Sequence, residues 1–351
     1  MYRGASIGVV VPAYDEEGFV GDVIREMPDY VDRIYAIDDR STDGTWKEIL
    51  EAARDDADAN AGRDAADDAA LVTDGGASVL TERASVQDAI GRVVPIRHRE
   101  NRGAGGAIKT GYLAARADGV DATVTVDADG QMDLSQMPRL LDPLVENEAD
   151  YAKGNRLLSR EYRAAMPRFR FVGNAILSFL TKIASGYWKT MDPQNGYTAI
   201  SGDALEAIDL EHLYEYYGYC NDLLVKLNVH GMRVADVAMP AVYGDEESSI
   251  TYSEYIPKVS TMLLRNFLWR LKTKYLVLDF HPLAFFYLVG AGLAATGVLA
   301  AAVTLFATLA TVGPSVQGST TVFLLVAGIA FLLFAMVFDM AESEHLERQV
   351  R

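Results

Sequence analysis

The order of apolar and polar positions divides the chain into three parts. In residues 1–250, short apolar runs alternate with segments of helical periodicity, a pattern typical of an α/β sheet. Residues 251–280 mix leucine and aromatic side chains with lysine and arginine, and residues 281–340 hold two long uncharged runs. We therefore predict an α/β domain followed by two kinds of membrane-associated helix.

Five apolar runs in the first part have the length and β-branched content of strands. The predicted strands are Ile7–Val11, Arg33–Ile37, Val93–Arg97, Thr123–Val126 and Tyr151–Lys153. Helices are predicted to begin near Gly18, Gly44, Gly103, Leu134 and Phe169. Residues 52–88 are rich in Ala, Asp and Gly, and this composition predicts a solvated acidic insertion.

The two uncharged runs extend from Pro282 to about Ala310 and from Thr320 to Phe338. Each is long enough to cross a bilayer, although a buried helical hairpin of a soluble protein is the alternative. Lysine and arginine precede the first run and follow the second, and the connecting loop has neither. The positive-inside rule then places the domain in the cytoplasm, on a multi-pass protein of the cell membrane.

The two predicted membrane spans also determine how the flanking segments lie relative to the membrane. Residues 251–280 are predicted to be amphipathic helices on the membrane surface, with the lipid membrane as a partner. Residues 281–340 are predicted to form the transmembrane hairpin, and residues 341–351 a cytoplasmic tail.

Charge and cysteine content narrow the possible functions of the 351 residues. The formal net charge is −17, which argues against nucleic acid as a partner because phosphate backbones need a basic face. The single cysteine, Cys220, excludes an intrachain disulfide framework. The sequence leaves open whether the chain forms a homo-oligomer.

The fourth predicted strand runs into the sequence Asp-Ala-Asp-Gly-Gln at positions 127–131. Side chains two positions apart on a strand point to the same face, so Asp127 and Asp129 can reach one cation. Carboxylates together with phosphate oxygens are the ligands by which Mg²⁺ is usually held. The pattern indicates a nucleoside-diphosphate site, although acidic turns at strand ends are common.

The first two predicted strands also end in acidic loops, where open α/β sheets bind ligands. The first ends in Val-Val-Pro-Ala-Tyr-Asp-Glu-Glu at positions 10–17, and the second in Asp-Asp-Arg-Ser-Thr-Asp-Gly-Thr at positions 38–45. The adjacent carboxylates of Asp38 and Asp39 repel each other, and a base or ribose with hydrogen-bond donors would satisfy them. Within the second loop, Ser41, Thr42 and Asp43 are candidates for helix capping.

A glycine-rich turn, Asn-Arg-Gly-Ala-Gly-Gly-Ala-Ile-Lys-Thr-Gly-Tyr at positions 101–112, enters a predicted helix. Its spacing matches neither a Walker loop nor a dinucleotide fingerprint, which weakens the kinase and dehydrogenase interpretations. Arg102 and Lys109 are candidates to offset the charge of a diphosphate.

These four motifs, in this order, resemble those of the family 2 glycosyltransferases with the GT-A fold, and more closely the polyprenol-phosphate (dolichyl-phosphate) sugar synthases. The resemblance covers roughly residues 6–250. It implies a Rossmann-like nucleotide-sugar transferase domain and an inverting transfer to a lipid phosphate. The implied partners are a nucleotide-sugar donor and a polyprenyl or dolichyl phosphate acceptor, and the product would feed protein glycosylation or surface glycan assembly.

The resemblance also implies roles for individual residues in donor binding. It implies that the donor nucleotide is held by Pro12, Tyr14, Glu16 and Asp39, and that Ala128 lies beside it. Asp127, Asp129 and Gln131 match the metal-binding motif, with Mg²⁺ or Mn²⁺ as the ion.

For the acceptor phosphate, the resemblance points to Arg156 and Arg170, with Asn174 assisting. Arginine suits this role because its planar fork binds phosphate bidentately. The alternative is a solvated basic face. For the sugar, the resemblance points to Asp192 and Asn195, although a turn begun by Asp-Pro explains both equally well. Residues 218–224 stand where relatives carry an acidic base, often as Glu-Asp. This chain has Asn221 and Asp222 there, which argues against a base role for residue 221, and Asp222 is expected to orient a hydroxyl or an arginine.

Three other functions are weighed against this interpretation. A processive polysaccharide synthase would carry a Gln-x-x-Arg-Trp motif and more spans, and this sequence has neither. A non-catalytic membrane scaffold would be favoured by loss of a metal ligand, and all three are present. A nucleotidyltransferase would need a basic glycine-rich loop near the first strand. UDP-glucose, UDP-N-acetylglucosamine and GDP-mannose all remain open as donors, with a UDP-sugar favoured.

Overall fold

The computed structural model describes residues 1–60, 76–158, 168–216, 218–240, 252–309 and 318–350. Its strands form one sheet in the order β3-β4-β2-β1-β5-β7-β6-β8-β9. Their bounds are β1 Ile7–Ala13, β2 Arg33–Asp38, β3 Ala84–Val86, β4 Val93–His98, β5 Ala122–Thr125, β6 Tyr151–Asn155, β7 Thr198–Ser201, β8 Val234–Ala238 and β9 Glu347–Val350.

Helices cover both faces of this sheet and continue beyond it. Those of the domain are α1 Val20–Arg25, α2 Thr45–Ala59, α3 Gly76–Arg83, α4 Ala104–Asp118, α5 Met137–Val145, α6 Arg168–Ser185, α7 Gly202–Ala207 and α8 Tyr219–Val229. The three that follow are α9 Tyr252–Lys272, α10 Leu283–Leu309 and α11 Gly318–Ser343. A π-helical turn, Thr273–Leu278, lies between α9 and α10.

The central strands are parallel and fully buried. Val9 lies opposite Ile34 of β2 and Val124 of β5, and its neighbours along β1 contribute to hydrophobic clusters on both faces. Such strands appear in sequence as continuous apolar runs because both of their faces are covered by helices. The predicted α/β sheet and all five predicted strands are confirmed.

Two further strands reverse the direction of the sheet at its centre and its edge. β7 pairs antiparallel with β5 and β6, and β3 pairs antiparallel with β4. Because β7 runs against its neighbours, its first residue lies at the edge where β5 and β6 end.

The segment 52–88 is only partly the solvated insertion predicted for it. Helix α2 continues to Ala59 with Ala52 and Ala53 fully buried, and α3 and β3 return the chain to the sheet. Residues 61–75 lie outside the described residues. The ends of the segment are therefore part of the core of the domain, because alanine on the inner face of α2 packs against the sheet.

The C-terminal residues, predicted as a cytoplasmic tail, add a strand to the sheet. After α11, residues 347–350 make strand β9, which pairs in parallel with β8. Val234 lies opposite Glu347, and Val237 opposite Val350. The chain thus leaves the domain through α9 and returns to it after α11, so both ends of the helical hairpin are attached to the same body.

Helices α10 and α11 pack against each other through small residues. A side chain on Gly328 would meet the backbone nitrogen of Ala294 at 2.5 Å, so glycine permits the close approach. Both helices are long and apolar enough to be candidate membrane spans, and only 11% and 17% of their apolar windows are buried. A core hairpin of a soluble protein would be mostly buried, so the exposure of these helices suggests membrane association.

Candidate functional site

A cavity of about 190 Å³ opens at the edge of the sheet where β5, β6 and β8 end and β7 begins. Parallel pairing of β6 with β8 and antiparallel pairing of β7 with both neighbours bring four loops to this edge. The cavity is lined by Asp127, Asp129, Gln131, Met132, Asp133, Gln136, Arg156, Gln194, Asn195, Gly196, Tyr197, Met239 and Pro240. Segments distant in sequence therefore form one site.

The three predicted metal-binding residues all line this cavity. Asp129 Oδ1 accepts a hydrogen bond of 2.9 Å from the backbone nitrogen of Gln131, which fixes the turn at the end of β5. Gly196 leaves room for the neighbouring carboxylate, because a Cβ there would lie 3.2 Å from Asp127 Oδ2. Two carboxylates and an amide oxygen are hard ligands that suit Mg²⁺ or Mn²⁺.

The protein supplies only part of a coordination shell. Among the described residues, no group of three or more His, Cys, Asp or Glu side chains is arranged to hold a metal ion. The aspartates at positions 127 and 129 fit an ion whose remaining ligands come from a bound diphosphate and water, as is usual for Mg²⁺.

Arg156 also lines the cavity and is held by Asp192. The Asp192 carboxylate accepts hydrogen bonds from Arg156 Nε at 2.7 Å and Nη2 at 2.8 Å, which fixes the guanidinium plane. Asn174 Nδ2 lies 3.5 Å from the same carboxylate. Burial alone would raise the pKa of Asp192, but hydrogen bonds and charge from Arg156 hold it below the usual value.

Asp192 itself does not line the cavity. Its side chain is fully buried and committed to Arg156, so the prediction that it binds sugar hydroxyls is wrong. Asn195 does line the cavity, and its Oδ1 accepts a hydrogen bond from the backbone nitrogen of Tyr197. Gly154 makes space for it, since a Cβ there would lie 2.9 Å from Asn195 Nδ2.

Arg170 is the other basic residue expected near the acceptor, and Lys153 is the basic residue that lies close to Arg156 in sequence. Arg170 lies in the first turn of α6, and its side chain is outside the described residues. Lys153 is buried, with its Nζ 3.0 Å from Asp236 Oδ1, so it belongs to the core of the sheet and not to a basic face.

Next to the cavity, the loops after β1 and β2 hold each other in place. Asp15 Oδ1 accepts from the backbone nitrogen of Thr42, and Glu17 Oε2 accepts from that of Gly44. Asp43 Oδ1 accepts from the backbone nitrogen and the hydroxyl group of Thr45, the first residue of α2, whereas the N-cap residue is Gly44, which has no side-chain cap. Most carboxylates of these loops therefore accept hydrogen bonds from backbone nitrogens. They do so because the backbone N–H groups of two loops without regular structure need acceptors.

Of the residues expected to hold the donor nucleotide, Tyr14 is about half exposed and Pro12 and Glu16 are partly exposed at the end of β1. They lie outside the lining of the cavity, beside it in the strand order. The side chain of Ala128 is buried in the core, so only its backbone can face a ligand.

Asp39 is buried at the end of β2 and has a partner that the sequence did not reveal. His98 Nδ1 lies 2.6 Å from Asp39 Oδ1, and His98 Nε2 lies 2.8 Å from Thr110 Oγ1. The backbone nitrogen of Arg102 also donates to Asp39 Oδ1. Sequence analysis gave His98 no special role, and its place at the end of the third predicted strand was the available signal.

Asp38 is fully buried at the end of β2. Its Oδ1 accepts from the backbone nitrogen of Ser41, and its Oδ2 forms an ion pair with Arg97 at 2.8 Å but no hydrogen bond among the described residues. Arg97 neutralises this carboxylate, and the role of Asp38 in donor binding stays a prediction.

The glycine-rich turn packs against the segment that precedes α8. A side chain on Gly105 would lie 2.8 Å from the backbone of Glu215. Lys109 is buried and its Nζ donates to Glu215 Oε1 at 2.8 Å, while Arg83 and Arg102 bind the same carboxylate. Lys109 therefore neutralises Glu215, and the prediction that it offsets a diphosphate is wrong.

The basic side chains around Glu215 lower the pKa of its carboxylate. Burial would raise the pKa of Glu215, but hydrogen bonds and charge from Lys109 and Arg83 lower it to about 2. Arg102 is partly exposed and contacts Glu100 and Glu215, so two carboxylates already neutralise its charge.

Asp222 is buried outside the lining of the cavity. Its Oδ2 accepts from the backbone nitrogen of Tyr214 and its Oδ1 from Asn266 Nδ2 of α9. It joins the segment before α8 to α9.

Comparison with known proteins agrees with this geometry. Residues 65–209 match the family described as Glycosyl transferase family 2. A UDP-N-acetylglucosamine–dolichyl-phosphate N-acetylglucosaminyltransferase of Methanococcus voltae is 27% identical over 68% of this chain and 86% of its own length. An undecaprenyl-phosphate mannosyltransferase of Micrococcus luteus is 31% identical over 42% of this chain and 61% of its own.

Among solved structures, glucosyl-3-phosphoglycerate synthase from Mycobacterium tuberculosis in complex with Mn²⁺, UDP-glucose and phosphoglyceric acid is similar. The similarity covers 76% of this chain and 80% of that one, with 19% identity and a TM-score of 0.48.

Proposed function

We propose that this chain, whose residues 65–209 match the glycosyl transferase family 2, is a glycosyltransferase that transfers a sugar from a nucleotide-sugar to a polyprenyl phosphate at a membrane surface. The observation that carries this proposal is the cavity that Asp127, Asp129 and Arg156 line together. Two carboxylates suit a metal-bound diphosphate, and a fixed guanidinium suits a second phosphate.

On the donor side, the residues present fit a divalent cation. When bound there, Mg²⁺ or Mn²⁺ would neutralise the diphosphate as negative charge develops on the leaving group. Asp127 and Asp129 would hold the ion, with Gln131 as a neutral oxygen ligand. Tyr14 and Asp39 at the ends of β1 and β2 would bind the nucleoside, and His98 would fix the orientation of the Asp39 carboxylate.

On the acceptor side, Arg156 would bind and orient the lipid phosphate, with Arg170 and Asn174 from α6. A phosphate oxygen forms a bond to the anomeric carbon while the bond from that carbon to the nucleoside diphosphate breaks. The phosphate is already ionised at neutral pH, so no side chain needs to remove a proton. This agrees with the burial of Asp222 away from the cavity.

The exposed side chains of α6 and α9 support a location at the membrane. The buried positions of α6 include Ser178, Thr181 and Ser185, and its exposed ones Ile176, Phe179 and Leu180. Helix α9 buries Val259, Met262 and Leu263 and exposes Leu264, Leu268 and Trp269 together with Lys258 and Arg265. An apolar outer face on α6 and a mixed apolar and basic outer face on α9 suit helices that contact lipid and its headgroups.

The attachment of both hairpin ends to the domain supports a two-span topology, with the domain on the cytoplasmic side by the positive-inside rule. Dolichyl phosphate would then reach Arg156 from the surface to which α6 belongs. We favour UDP-N-acetylglucosamine as the donor, since the named activity of the Methanococcus relative includes it. UDP-glucose and GDP-mannose are the alternatives.

The test is transfer of label into lipid. Membranes containing the full chain are mixed with dolichyl phosphate and with labelled UDP-N-acetylglucosamine, UDP-glucose or GDP-mannose, with Mg²⁺ or with chelator. We expect label in the organic phase from one donor, and its loss with chelator and with Asp129→Asn. The control is Asp55→Asn, which removes a carboxylate that pairs with Arg25 on the exposed side of α2.

The remaining outcomes separate the alternatives. Label in a water-insoluble polymer that needs no added lipid would support a processive synthase. Absence of donor binding, together with absence of transfer, would support a membrane scaffold. Transfer that is unaffected by chelator and by Asp129→Asn would refute the metal assignment.

A further inference from the structure

The segment between α6 and the cavity is held by the last residues of the chain. In β9, the carboxylate of Glu347 accepts hydrogen bonds from three consecutive backbone nitrogens, those of Trp188, Lys189 and Thr190, at 2.8, 2.6 and 2.9 Å. Three consecutive amides that converge on one anion form a strong binding arrangement. A distant residue thus satisfies donors that a loop cannot pair within itself.

Met191, the next residue along this segment, is also held by hydrogen bonds of its backbone. The backbone nitrogen of Met191 donates to Asp236 Oδ2 at 2.8 Å, and its carbonyl accepts from Lys153 Nζ at 2.5 Å. Asp192 follows with a φ of +49°, a left-handed conformation that is unusual for aspartate. Neighbouring contacts must impose this conformation, because the residue would not adopt it by preference.

Asp192 connects this segment to the cavity through its hydrogen bonds with Arg156. Asp192 in this conformation places both carboxylate oxygens on Arg156, and Arg156 lines the cavity. We propose that Glu347 is a positioning residue for the acceptor phosphate: by fixing residues 188–190 it sets the position of Asp192 and hence of the Arg156 guanidinium. This inference rests on the proposed function for the identity of the phosphate that Arg156 binds.

The contacts of Glu347 also connect the site to the hairpin of α10 and α11. Glu347 comes four residues after the end of α11 at Ser343, and Glu344 pairs with Lys189 at 2.9 Å. A displacement of α11 would be transmitted to residues 188–192 through the three hydrogen bonds of Glu347, whereas the Glu344–Lys189 pair is exposed and screened by water.

The experiment compares Glu347→Gln with Glu344→Gln in the full chain in lipid nanodiscs. The second variant removes an exposed carboxylate from the same segment and is the matched control. Hydrogen exchange of the amides at positions 188–192 is measured first, and it needs no activity. We expect exchange to become about 10-fold faster in Glu347→Gln and to stay unchanged in Glu344→Gln.

The second measurement is kinetic. Glu347→Gln is expected to raise the KM for dolichyl phosphate about 10-fold and to leave the KM for the donor within about twofold, because Arg156 is displaced but the metal site is not. Glu347→Asp, which keeps the charge, should recover part of the loss and serves if Glu347→Gln does not fold. A double variant with Arg156→Lys should be no worse in acceptor KM than Arg156→Lys alone.

Unchanged exchange at positions 188–192 in Glu347→Gln would overturn the inference whatever the activity. An equal rise of both KM values would also overturn it, since a merely structural role predicts that result. A wild-type chain that transfers no sugar from any donor would instead refute the proposed function, and hydrogen exchange alone would then decide whether Glu347 fixes the segment.

Discussion

Removing either partner of the Arg270–Asp339 ion pair should destabilise the protein far more than removing both. The pair joins α9 to α11 with distances of 2.8 and 2.7 Å, and neither side chain has exposed surface. Arg270 also donates to the backbone oxygens of Ile183 and Ala184 at the end of α6, and Tyr275 donates to the Asp339 carboxylate. One ion pair therefore holds three helices.

The expected magnitude follows from burial. Asp339→Leu leaves a buried guanidinium without its carboxylate, and Arg270→Met leaves a buried carboxylate without its cation. Each should cost about 3–5 kcal/mol in the free energy of unfolding, whereas replacing both by apolar side chains should cost about 1 kcal/mol or less. For a chain of this size, the single variants should melt about 4–7 °C below the wild type.

The assay is thermal unfolding of the full chain in one detergent, followed by tryptophan fluorescence at one scan rate. Arg265→Met is the control, because Arg265 is an exposed cation on the same helix. The reasoning would be refuted if the double variant melted as low as either single variant, or if the single variants melted with the control.

Three further predictions concern the domain. Glu215 has a pKa lowered to about 2, so its contribution to stability is present above the unfolded value and is lost as the pH falls from about 4.5 to about 2; urea unfolding of Glu215→Gln should vary less over that range, and an identical pH profile would count against the cluster. Gly196→Ala should lower kcat about 10-fold at an unchanged melting temperature, because its Cβ would approach Asp127 Oδ2; full activity would show that the carboxylate can move aside. His98→Gln should raise the donor KM about fivefold and spare the acceptor KM, because Asp39 loses its Nδ1 donor; a rise in the acceptor KM alone would contradict that assignment.

The pattern of apolar positions predicted the centre of the sheet well and its edges poorly. β1 and β2 are buried on both faces, so their sequences are continuous apolar runs. β9 has the sequence Glu-Arg-Gln-Val, which has no strand periodicity. It forms because β8 offers an open edge and because the loop at residues 188–190 binds Glu347, and neither fact is visible locally.

The candidate site was predictable where it depends on strand ends and unpredictable where it depends on pairing between distant residues. The motif at positions 127–131 was placed correctly, because a strand end in a parallel sheet meets the ends of its neighbours. Lys109 was misassigned, since Glu215 lies 106 positions away in sequence. Asp192 was misassigned for the same reason, because its partner Arg156 lies 36 positions before it.

The position of β9 in the chain has a consequence for biosynthesis. The sheet has eight of its strands once β8 has been translated, but β8 remains an unpaired edge until both apolar helices have been made and the last residues emerge. An unpaired edge strand invites pairing with other chains. Under the proposed two-span topology, the domain is completed only after the hairpin has been inserted and its C-terminal end has returned to the side of the domain. A purification tag fused directly after Val350 would hinder the pairing of β9 with β8, whereas a tag before Ile7 would not.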